Sequence, residues 1–205
     1  MKIPVTPMRA REPRCAAARR GFTLLEVLVA IVVLSFGVLG VVGLQAMALQ
    51  ANKEARYQST AVALARELGD MMRSTKNIAT LTSAAQNPYL IDFQNANFPG
   101  APNNCFAAVC PSPLTVAQFN MQEWLARVNT AVPGVRVVVC FDDTPYGADG
   151  RPRWACDGGA TGTSVVKIGW ARQSSDSNAA DADRVTNGGN GLPSVVLPLI
   201  PGNTQ

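Results

Sequence analysis

The chain has 205 residues, 18 Lys/Arg, 14 Asp/Glu and no histidine, which gives a formal net charge of +4. This length fits one domain with an appendage, because a domain takes roughly 150 residues. Without histidine, the Ser-His-Asp and Cys-His arrangements of nucleophilic enzymes are excluded. Neither a G-x-S-x-G elbow nor a G-x-x-x-x-G-K-[ST] phosphate loop occurs in the sequence. We therefore predict a protein that is not an enzyme and has no cofactor.

The positive charge is confined to a leader, residues 1–21. The leader holds six Lys/Arg and one Glu, a net of +5, whereas residues 22–205 hold 12 Lys/Arg and 13 Asp/Glu, a net of −1. A nucleic-acid surface needs basic residues clustered on a folded face, so we predict no nucleic-acid partner. A basic segment before an apolar run is instead typical of the cytoplasmic flank of a membrane span.

One long helix is predicted over residues 22–75. No proline occurs between Pro13 and Pro88, so nothing in this window removes a backbone donor from a helix. At the start of the helix, the Thr23 side-chain oxygen is placed to accept a hydrogen bond from the Glu26 N–H, as in a capping box.

The first half of this helix is predicted to cross a membrane. Residues 27–44 contain no charge, and a span needs about 20 apolar residues. We therefore assign residues 22–44 to the membrane. Beyond them the pattern becomes amphipathic, with one stripe free to pack on a domain. A helix of about 54 residues is about 80 Å long, so its second half stands outside a bilayer of about 30 Å.

Residues 76–205 are predicted to form a small globular domain. Apolar residues recur at helical intervals over 115–132, with Thr115 as the expected N-cap of this helix and Gln118 at capping-box spacing. Three β-rich runs follow: Val135–Phe141, Ser164–Ala171 and Ser194–Ile200. Because loops and not helices separate the runs, we expect an antiparallel sheet. The predicted fold class is α+β, with the long helix packed on this domain.

Acidic residues at 142–149 and 176–183 supply oxygen ligands of the kind calcium prefers. Neither cluster matches the EF-hand pattern, so we interpret both as solvated turns and predict no metal site.

Four of the five cysteines follow the apolar run: Cys105, Cys110, Cys140 and Cys156. If that run crosses a membrane, these four lie in an oxidising compartment, where an even number indicates disulfides. Three pairings are possible, and we favour Cys105–Cys110, a small loop, with Cys140–Cys156, a larger one. Free buried thiols and a zinc site are the alternatives, although no C-x-x-C spacing supports zinc.

The decisive stretch is residues 19–30, which read RRGFTLLEVLVA. An ordinary secretory signal peptide has an apolar core of roughly 7–15 residues, but here the apolar segment is longer and contains Glu26. A plain membrane anchor leaves Glu26 unexplained. A carboxylate at membrane depth costs on the order of 2.5–3.5 kcal/mol, so it marks a functional position.

This stretch resembles the amino-terminal signal of type IV pilin-like proteins, with Gly21, Phe22 and Glu26 in register before an unbroken apolar helix. The resemblance implies that a prepilin peptidase cuts between Gly21 and Phe22 and N-methylates Phe22. By the same resemblance Glu26 is the acidic residue four positions after the new terminus, and our hypothesis is that in a filament it serves assembly by pairing with the α-amino group of a neighbouring subunit. The expected location is the bacterial inner membrane, with the N-terminus cytoplasmic, the C-terminal domain periplasmic, and the protein incorporated in the extracellular pilus.

Within that family, residues 33–45 and 61–72 are similar to a group of minor pilins that start pilus assembly or are displayed at the tip. The implied partners are the prepilin peptidase, other minor pilins, the major pilin, the inner-membrane assembly platform and the lipid bilayer. A pseudopilin of a type II secretion system shares the same amino terminus and is the first alternative. A membrane-anchored periplasmic domain of another function is the second.

Overall fold

The computed structural model describes residues 21–94, 96–100, 103–159, 162–171 and 191–202. Most of the predicted leader and the acidic cluster at 176–183 lie outside these residues. The fold is α+β, as predicted, with a long amino-terminal helix and a C-terminal antiparallel sheet. The chain divides into two compact units, Met1–Ala48 and Leu49–Gln205, and each is described by itself.

The predicted long helix is present as α1, Leu24–Ser74. In the first unit its side chains are exposed, and an 18-residue window has a mean hydropathy of 2.9 with none of it buried. By length and composition, α1 is the one candidate membrane span in the described part of the chain. An uninterrupted apolar surface of this kind is stable only against lipid or against other apolar helices.

In the second unit, α1 buries one stripe of side chains. Ala61, Ala65, Leu68 and Met72 are fully buried and recur every three or four residues, which places them on one face of a helix. They join the core beneath the sheet, where the Trp124 indole N–H donates to the Leu64 carbonyl at 3.0 Å. The amphipathic stripe predicted for this half of the helix therefore packs on the domain.

The second major helix, α3, spans Pro113–Ala131, after a four-residue helix α2, Lys76–Ala79, that was not predicted. The predicted cap at Thr115 is wrong. Ser112 is the N-cap, and its side chain accepts from the Thr115 N–H at 3.2 Å. Pro113 occupies the first helical position, where a backbone N–H would have no partner in the helix, so the N–H that proline lacks is not missed. The helix therefore begins at residue 113, two residues before the predicted start at residue 115.

This cap yields a stability prediction. Ser112→Ala is expected to lower the free energy of unfolding by about 1 kcal/mol, because the Thr115 N–H loses its acceptor. Urea unfolding of the full chain in detergent, followed by tryptophan fluorescence, measures the change. Ser112→Asn, which keeps a capping oxygen, is the matched control and should remain within about 0.5 kcal/mol of the wild type.

The sheet has four antiparallel strands in sequence order: β1 Ile91–Phe93, β2 Arg136–Phe141, β3 Ser164–Gly169 and β4 Val195–Leu199. The last three match the predicted runs, whereas β1 was not predicted. In register, Val139 of β2 lies opposite both Ile91 and Val166. Every residue of β3 is buried, which is consistent with its central place between β2 and β4.

Candidate functional site

The candidate processing site is the segment just before α1. The helix begins at Leu24, so Gly21 and Phe22 lie outside it, and both are exposed. Phe22 is 81% exposed. A peptide bond outside a helix has no ladder hydrogen bonds that a peptidase must first break. The bond between Gly21 and Phe22 is therefore accessible in the folded chain.

The start of α1 is fixed by Thr23. Its carbonyl accepts from the Glu26 N–H at 3.0 Å and from the Val27 N–H at 3.3 Å. Its side-chain oxygen also accepts from the Glu26 N–H, at 3.3 Å, which is the cap expected from the sequence. Because this cap closes the helix at Thr23, the two residues that precede it lie outside the helical hydrogen-bond ladder.

Nothing in the fold itself requires glycine at position 21. A Cβ atom built on Gly21 meets no heavy atom within 4 Å. Steric packing within the described chain therefore does not explain a glycine here.

Glu26 is exposed in the first turn of α1, surrounded by apolar side chains. Within the described residues its carboxylate forms no ion pair. A negative charge here interacts favourably with the positive end of the helix dipole, by about 0.3–1 kcal/mol. This is small beside the cost of placing a carboxylate among apolar groups. Among the described residues, therefore, no cation balances the charge of Glu26.

The four downstream cysteines lie in the second unit. The structure joins Cys105 to Cys110, with Cα atoms 5.3 Å apart, and Cys140 to Cys156, with Cα atoms 6.3 Å apart. This is the pairing favoured from the sequence. The sulfurs of Cys140 and Cys156 and an oxygen of Asp142 lie within 4.8 Å of one another. Because both sulfurs are in the disulfide, no thiolate remains to bind a metal there.

A buried ion pair lies beside the second disulfide and was not predicted. Lys167 of β3 contacts the carboxylate of Asp142, which follows β2, and both side chains are fully buried. Lys167 also donates to the Ala155 carbonyl at 2.6 Å. A lysine in a strand of Val and Ile residues was the only signal for it in the sequence, and that signal does not identify the partner. The pair joins the centre of the sheet to the loop at 142–163.

The same loop carries a second polar cluster at the surface. Asp157 accepts hydrogen bonds from Thr144 and Arg153. The hydrogen bond from the Thr144 side chain is the main reason that the pKa of Asp157 lies below its ordinary value. The Arg153 guanidinium also donates to the Thr144 carbonyl at 2.7 Å. These contacts pair Asp157 with Arg153 within the loop and indicate a structural role.

Residues 17–42 match the family model for the prokaryotic N-terminal methylation motif. The match includes Gly21, Phe22 and Glu26, together with the first part of α1. Searches of the curated proteins and of the solved structures found no significant match to the chain. The matched segment is therefore the part of the molecule that informs function most directly.

Proposed function

We propose that this chain, which carries the N-terminal methylation signal of type IV pilin-like proteins, is a minor pilin that takes part in starting pilus assembly or is displayed at the pilus tip. One observation carries the proposal: a methylation motif whose glycine lies just outside an apolar helix and whose acidic residue, Glu26, has no ion-pair partner within the described chain. In this role the chain is a substrate of the prepilin peptidase and not an enzyme.

Processing supplies the missing partner for Glu26. Cleavage after Gly21 removes the basic leader and creates an α-amino group on Phe22, which N-methylation leaves basic. When apolar helices pack side by side, the carboxylate of one subunit pairs with the amino group of its neighbour. Both charges are desolvated in this contact, so its main effect is to fix the register of the helices.

The assignment to minor pilins rests on sequence resemblance. The run V-L-S-F-G-V-L-G-V-V-G-L-Q at 33–45 is similar to the corresponding segment of type IV pilus modification proteins, the PilV group. Its glycines, Gly37, Gly40 and Gly43, have open space around a Cβ. In the proposed role the uncovered α1 surface is covered by lipid before assembly and by other pilin helices afterwards. The two disulfides fit a periplasmic position for the second unit.

The alternative is a pseudopilin of a type II secretion system, because that class carries the same amino-terminal signal. A deletion strain separates the two. A minor pilin predicts fewer pili and lost twitching motility with normal exoprotein secretion, and a pseudopilin predicts the reverse.

Mass spectrometry of the membrane-extracted protein tests the proposal directly. The mature chain is expected to begin at N-methylated Phe22. Gly21→Val is expected to leave the precursor uncut, because the peptidase loses close access to the backbone, while the fold tolerates the new side chain. Formation of both disulfides in this variant is the control for folding. Wild-type protein that functions with its leader attached would overturn the proposal.

A further inference from the structure

The amine of Lys167 and the carboxylate of Asp142 meet in a site that is closed to water. Both side chains are fully buried, and the lysine Nζ contacts one carboxylate oxygen, Oδ2. In the sheet, Val138 and Val196 lie opposite Lys167 on the two neighbouring strands, so its cross-strand neighbours are apolar. Two opposite charges held in such a site have lost the solvation that water would give them.

Both reacting groups are held in place by further hydrogen bonds. The Lys167 Nζ donates to the Ala155 carbonyl at 2.6 Å, and the second oxygen of Asp142, Oδ1, accepts from the Thr144 N–H at 3.0 Å. Well-oriented groups within one molecule react as if present at about 10⁵–10⁸ M. The Thr144 N–H is also placed to stabilise negative charge on Oδ1 when a nucleophile attacks the carboxyl carbon.

A lysine in this position can react, whereas an arginine cannot. A desolvated lysine amine is a nucleophile once it has passed a proton to its neighbour, but the arginine guanidinium is not deprotonated in proteins. The pairs of Arg127 with Glu67 and of Arg73 with Asp70 use arginine and are exposed. Water solvates the charges of those surface pairs, so no reaction is expected there.

We propose that Lys167 and Asp142 condense into a side-chain amide once the second unit has folded. The Nζ atom loses two protons and forms a bond to the Cγ of Asp142. The Cγ–Oδ2 bond breaks, and Oδ2 leaves with both protons as water. The step consumes no oxidant, reductant or co-reactant. It replaces two desolvated charges with one uncharged amide, which removes the electrostatic cost of burying them.

The amide joins β3 to the first residue of the loop at 142–163, beside the Cys140–Cys156 disulfide that already ties this loop to β2. The two links differ in chemistry, because thiols reduce a disulfide and do not cleave an amide. The loop therefore stays attached to the sheet under reducing conditions. The crosslink does not depend on the proposed pilin role, since it needs only the folded second unit.

Peptide mass spectrometry of the full chain from bacterial membranes tests this crosslink. After reduction, alkylation and trypsin digestion, we expect the main product to join residues 137–153 to residues 154–172 and to be lighter than the two peptides by one water. Trypsin does not cut after Lys167 in this product, because the amine is part of the amide. Fragmentation should place the link on Asp142. Separate peptides 137–153 and 154–167, or a link to another carboxylate, would overturn the proposal.

Lys167→Arg is the matched control, because it keeps a positive charge beside Asp142 but cannot form the amide. Its digest should lack the linked product, and formation of both disulfides reports on its folding. If this variant does not fold, the wild-type digest still decides the question. A loss of stability on removing Lys167 does not distinguish an ionic pair from an amide, because Asp142 is left buried and charged in both cases. The mass distinguishes them.

Discussion

Glu26→Gln is expected to leave leader removal intact but to lower incorporation into pili at least tenfold relative to the wild type. The substitution keeps the size of the side chain and removes the charge that pairs with the amino group of a neighbour. If the ion pair between neighbouring subunits contributes about 1.4 kcal/mol per subunit, its loss lowers the equilibrium constant for incorporation about tenfold. Pilus shearing, followed by immunodetection of the sheared and membrane fractions, measures the effect.

A local role for Glu26 predicts a different result. If the carboxylate only interacted with the positive end of the helix dipole, its loss would destabilise the helix by about 0.3–1 kcal/mol. The Thr23 cap would remain, because it binds the backbone N–H of residue 26 and not the side chain. Glu26→Asp is the matched control, since it keeps both the charge and the dipole interaction. Equal incorporation of Gln, Asp and wild-type chains would reject the assembly role.

The long helix was predictable from sequence because its signals are local. A proline-free window, an unbroken apolar run and a threonine cap each act within a few residues, and α1 spans Leu24–Ser74 as these signals require. The strands β2 to β4 were predictable for a similar reason, because runs of β-branched residues bounded by turns identify them.

Elements that depend on distant residues were missed. Strand β1 has only three residues, Ile91–Phe93, and exists because β2 offers it a paired edge. The start of α3 was misplaced for a different and local reason, because Pro113 was not recognised as a first helical residue after Ser112. The partner of Lys167 lies 25 positions away in the chain, so no local pattern identifies it.

The candidate processing site was predictable from the sequence because its signals are local. Gly21, Phe22 and Glu26 lie within six residues of one another, so the family model and the residue pattern identify the same segment.

The buried Lys167–Asp142 ion pair leads to the second prediction with a large expected effect. The burial of both charges determines the size of that effect. Lys167 and Asp142 are both fully buried, so removing one partner leaves the other charged and without compensation. Breaking a buried pair in this way costs about 3–5 kcal/mol. Asp142 has a further task, because its second oxygen accepts from the Thr144 N–H at 3.0 Å. A variant that replaces Asp142 must therefore keep an oxygen acceptor.

Lys167→Met is accordingly expected to lower the free energy of unfolding by about 3–5 kcal/mol. Adding Asp142→Asn to this variant should recover about 2 kcal/mol or more, because no uncompensated charge then remains. Arg127→Met is the matched control. It removes a cation from the Glu67 pair, whose side chains are 54% and 44% exposed, and should cost at most about 1 kcal/mol. Urea unfolding of the full chain in detergent, with disulfides intact, measures all three variants. Equal losses for Lys167→Met and Arg127→Met, or a double variant less stable than Lys167→Met alone, would show that desolvated charge does not govern the stability of this domain.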